Sequence, residues 1–555
     1  MPHHLGHCEE PPVREVRAAR RVACTTTAAT RVVTEPDSPP DGSEVAQRTD
    51  ADRQIRGSSL LLVGRLIAIG LDLVTQVLIV RSLSKGDFGA FAFALSIVSL
   101  LATISVFGLD KTLPRFAAIY EENRDRGRLV GSIALGVMTI AGLGVAGALV
   151  AMAIGAGMGP EFVETEGARE LLLILVILGP IQAFDTLLIG LLAVFAGPRA
   201  IFLRRYILAP GLQLTVVIVM TLSNQSVQFL GAGYVAAGAF GVAVYGIWFV
   251  RLLRRLGHLR DVRRAFRLPV REVYGITIPF LSTDVVLTVR TTLVIILLQF
   301  VATSSDVADY RAVVPLARQN LIVLNVFSVL FIPAASRLFA RGAHTDLDVL
   351  YWRMTHLIAV VTFPIFIVSF AFAEPIAVLF FGERYASSGS ILAWLALGQY
   401  VSAALGFNAL TLRVYAQARY TVAVDVITIL ASAIALIVLV SRFGALGGAV
   451  ATCLTLVLQN TLYQVGLARG TGVRAMHVSG ARVYGSIAIV TAVVFGSVQA
   501  VDPPLIVGLI FAGVASAVVL AANRDALRLA EAFPELLRIP FARYFIGASE
   551  RSAGP

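Results

Sequence analysis

The sequence predicts an all-α protein that crosses a membrane about fourteen times, built as two six-helix halves in parallel-topology repeat plus two extra helices. Three observations carry that expectation. Of the 555 residues, 57% are hydrophobic and only 15% charged, with a mean hydropathy of +0.80, whereas soluble domains carry about a quarter charged residues. The apolar residues come in tracts long enough to cross a hydrocarbon core of about 30 Å, which takes about 20 helical residues each. Between two such tracts, Arg251–Arg271 holds eight arginines in RLLRRLGHLRDVRRAFRLPVR.

The chain opens on a polar stretch, residues 1–57, with segments such as TEPDSPPDGSE. It lacks the apolar run of a secretory signal, and its composition reads as a disordered extension. An alternative start near Val45 would remove most of it, and whether residues 1–44 exist in the mature protein stays open. His3, His4 and His7 beside Cys8 read as an adventitious cluster. With Cys24 and Cys453 the cysteines show no metal or redox spacing, so neither a metal site nor a cofactor is expected.

Spans follow near 58–80, 88–108, 129–157, 170–196, 207–222, 229–250, 274–300, 310–333, 354–381, 389–412, 421–441, 444–468, 484–500 and 504–522. With the N-terminus inside, outer segments hold Arg81, Lys85, Arg169, Arg384 and Arg442. Inner segments hold Lys111, Arg115, Arg124, Arg126, Arg128, Arg199, Arg204, Arg205, the eight central arginines, Arg337, Arg341 and Arg353. Basic residues resist translocation, so both termini are expected in the cytoplasm of a cell-membrane protein. The short loops lack aromatic or motif context for nucleic acid. The tail 523–555 is amphipathic and Arg-bearing, suited to the inner membrane surface.

An internal repeat organises the spans. RSLSKGDFGAFAFALSIVSLL has a weak twin in FVATSSDVADYRAVVPLARQNLIVL, with Asp87 set against Asp309. Pro114 matches Pro333, and Gly179 matches Gly398. The expected organisation is a six-helix half at 58–250, a basic linker at 251–273, a second half at 274–468 and two further spans at 484–522. Parallel repeats of this kind occur in transporters, with a site between the halves.

Ionisable side chains at membrane depth are costly and mark functional sites by default. Arg65, Asp72 and Gln76 share one face of span 1. Asp284 and Arg290 lie in span 7, and Arg311, Arg318 and Asn325 recur at heptad spacing in span 8, beside Gln319. Gln182 and Asp185 lie in span 4, Gln399 and Asn408 in span 10, and Gln459 and Asn460 in span 12. Arg65, Arg290 and Arg318 are the candidates for a phosphate, because guanidinium binds its oxygens in two-pronged fashion. The other reading of each is an ion pair tying helices together. Arg311, near the outer rim, is expected to snorkel to headgroups. Asp72, Asp185 and Asp284 are candidate coupling or ion-pair acids. For Gln76, Gln182, Gln319, Asn325, Gln399 and Asn408 inter-helix hydrogen bonding is the default, and they become candidate sugar contacts only through a family resemblance. There is no P-loop, HExxH or GxSxG motif, and the chain is read as no enzyme.

The run VGRLIAIGLDLVTQVLIVRSLSKGDFGAFAFALSIVSLLATISVFGLDKTLPRFAAIYEE resembles the first helices of polysaccharide-biosynthesis flippases. AVLFFGERYASSGSILAWLALGQY is similar to that family's second-half signature, and RFGALGGAVAT to its approach to span 12. The family belongs to the multidrug/oligosaccharidyl-lipid/polysaccharide exporter superfamily. The resemblance implies a flippase moving a polyprenyl-phosphate- or pyrophosphate-linked oligosaccharide across the cell membrane by alternating access. It implies a cationic central cavity in which Arg65 matches the span-1 arginine. Arg290 sits where relatives carry an Arg or Asn followed by Asp, here replaced by Thr291. The expected partners are the lipid-linked glycan, membrane lipids and glycan-assembly enzymes, with the protein itself a monomer. A cation-coupled multidrug exporter of the same fold and a non-transporting component of glycan assembly remain open alternatives.

Overall fold

The computed structural model describes residues 42–157, 166–259, 266–473, 478–501 and 503–527. The N-terminal histidine cluster, most of the loop 158–168, the middle of the basic linker and most of the tail 523–555 lie outside those residues. Among the described residues every element is helical. Twelve helices are long and apolar enough to cross a membrane. One of them, Ala418–Gly470, is 53 residues long and holds two spans, because Gly444 at φ 53° folds it back on itself. Span 7, in the helix Val270–Val301, contributes a shorter apolar stretch, which brings the total to fourteen, as expected.

In chain order, span 1 ends the helix Gly42–Ser82. Span 2 is Lys85–Val106, continued by Leu109–Glu122. Span 3 is Arg126–Gly157, and span 4 is Glu166–Val176 followed by Leu178–Phe195. Span 5 begins at Pro198, passes through a π-helical turn at Phe202–Leu208 and ends at Leu222, and span 6 is Val227–Arg255. After span 7, span 8 runs Ser304–Arg318, a 3-10 turn Gln319–Leu321, then Ile322–Ala340. Span 9 is His344–Ala371, trailed by the short helix Ala373–Phe381. Span 10 is Ser388–Ala404 with Phe407–Val414, spans 11 and 12 are the folded 53-residue helix, and spans 13 and 14 are Val478–Val501 and Leu505–Ala522.

The helix starts sharpen the repeat. Ser84 caps span 2 by accepting a hydrogen bond from the Asp87 amide at 3.1 Å. Thr303 caps span 8 in the same way from the Asp306 amide at 3.2 Å, with the reciprocal carboxylate contact of a capping box. Ser84 and Thr303, Asp87 and Asp306, Pro114 and Pro333, and Gly179 and Gly398 are all 219 residues apart. Asp87 therefore corresponds to Asp306, three residues before the Asp309 that the sequence pairing suggested. Asp309 does something else: it accepts from Ser388 at 2.8 Å and pairs with Lys85 at 2.7 Å.

Gly444 is needed twice over. Its φ is positive, and a Cβ there would stand 2.6 Å from the Asp306 carboxylate, which accepts the Ala445 amide at 3.0 Å. The turn between spans 11 and 12 is thus built around the cap of span 8.

Candidate functional site

A polar cavity lies between the halves. Its larger lobe, of about 630 Å³, is lined from the first half by Asp72, Gln76, Ser96, Ser99, Gln182, Gln213 and Tyr234, and from the second by Thr291, Thr292, Arg311, Arg318 and Gln319. A smaller lobe of about 350 Å³ lies within the second half, lined by Arg290, Tyr310, Gln399, Ser432, Thr452 and Thr455. The lobes share Thr291, Ile295, Arg311 and Arg318, so the two arginines of span 8 stand where they meet. Seven residues separate Arg311 from Arg318, which keeps both on one helical face. Among the described residues the lining carries three arginines against one carboxylate, Asp72, and five glutamines.

Arg311 is therefore a wall of the cavity, where the sequence reading had it reaching for headgroups. Neither Arg311 nor Arg318 makes a salt bridge among the described residues. Arg290 is held differently: it donates to Gln459 Oε1 at 2.5 Å, and Gln459 Nε2 donates to Asp425 at 2.8 Å, which also accepts from the Tyr463 hydroxyl at 2.6 Å. Asp425 was missed in the sequence. Its signal was a lone carboxylate in an otherwise apolar span 11. Gln213 was missed because span 5 is short and its polar residue has no polar neighbour at helical spacing.

Gln76, Gln182, Gln319 and Gln399 all reach the cavity. The Gln76 amide nitrogen is buried with no hydrogen-bond partner among the described residues. Asn408 is elsewhere: it is buried, and its amide donates to the Asn460 carbonyl at 3.1 Å while Asn460 donates to Ser402 at 3.0 Å. Asn325 is exposed and outside the lining. Arg65 is also exposed and outside it, on the same face as Asp72 but seven residues, about 10 Å, nearer the N-terminus.

The acids separate in the same way. Asp185 forms an ion pair with Arg204, which is 3% exposed and lies 5.5 Å from the Tyr245 ring centroid. Asp284 forms an ion pair with Lys111. Only Asp72 of the three candidate acids lines the cavity. Among the described residues no three His, Cys, Asp or Glu side chains converge as a metal site would require.

One end of the cavity is shut. Gly89 of span 2 packs so closely on the start of span 8 that a Cβ would fall 1.9 Å from the Ser304 carbonyl oxygen. Around this contact Lys85 pairs with Asp309 and lies 5.0 Å from the Tyr385 ring centroid. Tyr385 is fully buried, and burial pushes its phenol above the ordinary tyrosine range. At the opposite end, where the basic linker lies, span 7 leans on the first half. Tyr120 donates to Glu272 at 2.7 Å, the Thr139 and Tyr274 hydroxyls meet at 2.5 Å, and His258 stands 3.6 Å from Glu121.

Solved structures of similar fold agree with this arrangement. "Lipid II flippase MurJ, inward closed conformation" superposes with a TM-score of 0.63 at 11% identity, covering 87% of this chain and all of that one. An inward-facing multidrug resistance MATE family transporter of the MOP superfamily gives 0.56 at 15% identity, covering 74% and 96%. The MATE transporter DinF-BH in complex with R6G gives 0.52 at 14% identity, covering 76% and 96%. No curated protein matches the chain by sequence. The chain is thus a multi-pass membrane protein with the fold of those structures. A family model described as polysaccharide biosynthesis protein matches residues 55–339, just over half of the chain; the chain belongs to that family.

Proposed function

We propose that this protein flips a polyprenyl-phosphate- or pyrophosphate-linked oligosaccharide across the cell membrane by alternating access, in the service of polysaccharide or glycoprotein glycan assembly. The observation that carries the reading is the lining of the cavity. Arg311 and Arg318 offer two uncompensated guanidiniums at the meeting of its lobes, and the glutamines around them suit sugar hydroxyls. Arg290 adds a third charge, tethered through Gln459. The prenyl chain stays in lipid between the halves. Arg65 acts at the mouth, drawing the anionic headgroup toward the cavity.

The arginine distribution supports a cytoplasmic linker end and cytoplasmic termini, which would make the end closed by Gly89 and Ser304 the outer one. Multidrug export on the same fold fits less well, because three arginines against one aspartate repel cationic drugs from the cavity.

The test is transport of a lipid-linked glycan by the reconstituted protein. Arg65→Ala, Arg290→Ala and Arg318→Ala, each stably expressed, are expected to lower the flipping rate, with Arg318→Ala the most damaging. Undiminished flipping in all three would overturn the reading.

A further inference from the structure

At the shut end two arginines cap each other's helices across the halves. The helix Gly42–Ser82 ends there, and so does the short helix Ala373–Phe381. Arg81 donates through Nε to the Phe380 carbonyl at 2.8 Å and through Nη2 to the Leu379 carbonyl at 2.6 Å. Arg384 returns the contact, donating through Nη2 to the carbonyls of Val80 and Arg81, the latter at 3.0 Å. Each guanidinium thus occupies the last carbonyls of the other half's helix. Those groups have no partner within their own helix and carry the negative end of its dipole.

We propose that this reciprocal Arg81–Arg384 clasp is the latch of the shut end, and that it is also a phosphate site: a phosphate group displaces the carbonyls, takes the two guanidiniums and lets the halves part. Three features support it. Both side chains are exposed, so an anion reaches them before anything opens. Their present acceptors are neutral carbonyls, and phosphate oxygens bind guanidinium more strongly and in two-pronged fashion. Arginine keeps its charge at any ordinary pH, so when the halves separate both residues need a new acceptor at the bilayer face. A phosphate monoester or diester meets that need, whether it belongs to a phospholipid headgroup or to the departing cargo. The proposal rests on the transport reading only for the direction in which the halves move.

The test uses the full chain with spin labels at Ser223→Cys and Ser441→Cys, on exposed turns of the two halves, in a phosphate-free maltoside detergent. It is run in an Arg290→Ala, Arg311→Ala, Arg318→Ala background, so that the arginines of the central cavity cannot supply the response. The short inter-label distance is expected to dominate, and inorganic pyrophosphate is expected to populate a longer one. Arg81→Ala with Arg384→Ala is expected to raise the long-distance fraction about tenfold without pyrophosphate, as the loss of charged hydrogen bonds predicts, and to abolish the response to it. Arg384→Lys, which keeps the charge but not the fork, is expected to fall between. A second arm compares vesicles of phosphatidylglycerol. Widening there, with no further effect of pyrophosphate, assigns the displacing group to headgroups, whereas widening only on adding pyrophosphate assigns it to a free phosphate. A clasp that stays closed in the double alanine variant, or a parent protein that widens in neither arm, overturns the proposal. These distances are read whether or not the protein flips glycan, so a failed flipping assay and a failed latch are separate results.

Discussion

Arg204 and Arg311 are the same residue placed in the same kind of bundle, and they are treated in opposite ways. Arg204 is 3% exposed, paired with Asp185 and packed on Tyr245 at the π-helical turn of span 5. Arg311 stands on the wall of a cavity with a second arginine one heptad away and no salt bridge among the described residues. A buried charge is tolerable when its partner is built in. One left without a partner is tolerable when an outside group is to supply it. The difference separates an arginine that holds helices together from one that, on the function proposed above, is there to meet an anion.

That contrast can be broken in order of expected effect. Replacing both Arg311 and Arg318 by Ala should cut the flipping rate about 100-fold or more, the loss of two charge-assisted contacts, while thermal unfolding stays near that of the parent. Asp185→Ala should do the reverse: it strands Arg204 and is expected to destabilise the fold by about 3 kcal/mol, seen as a lowered melting temperature. Pairing it with Arg204→Met should restore most of that loss. A stable, transport-dead Asp185→Ala would instead make Asp185 a coupling acid. Gly89→Ala pushes a methyl into the Ser304 carbonyl and should open the shut end several-fold, measured as faster alkylation of a cysteine placed at Ser96. The smallest effect is expected from Gln459→Leu, which frees Arg290 from Asp425 and should change KM for the lipid-linked glycan a few-fold with little change in kcat. A large fall in kcat there would place Asp425 in the transport step itself.

The spans and the duplication were legible because both rest on local pattern: apolar length, capping residues and recurring Pro and Gly. The pairing of Asp87 with Asp309 slipped by three residues because only the cap geometry of Thr303 and Asp306 fixes the true correspondence, and Asp309 happens to sit beside an aromatic, Tyr310, as Asp87 sits beside Phe88. Part of the cavity lining was legible residue by residue, as Asp72, Gln76, Gln182, Arg290, Arg318, Gln319 and Gln399, but not in its groupings. Helical spacing put Asp72 and Gln76 on one face of span 1, yet no spacing within span 4 says that Asp185 meets Arg204 of span 5. Arg311 looked like a rim residue by its depth in the sequence. Tertiary packing turned its face inward, together with Arg318. Inter-helix hydrogen bonding is the default for an Asn inside a span, and the bond from Asn408 to the Asn460 carbonyl follows that default.

The duplication has left the halves unequal in what they bring to the cavity. Every arginine of its wall comes from spans 7 and 8, while the first half supplies Asp72, three of the five glutamines and both serines of span 2. On the proposed function, a cargo lying across the seam with its charged end on one half and much of its sugar on the other would be gripped by two bodies at once. Were those bodies to rock apart, no single contact would have to be broken first. The hold would weaken on all sides in step with the opening, so the motion that exposed such a cargo would be the same motion that let it go.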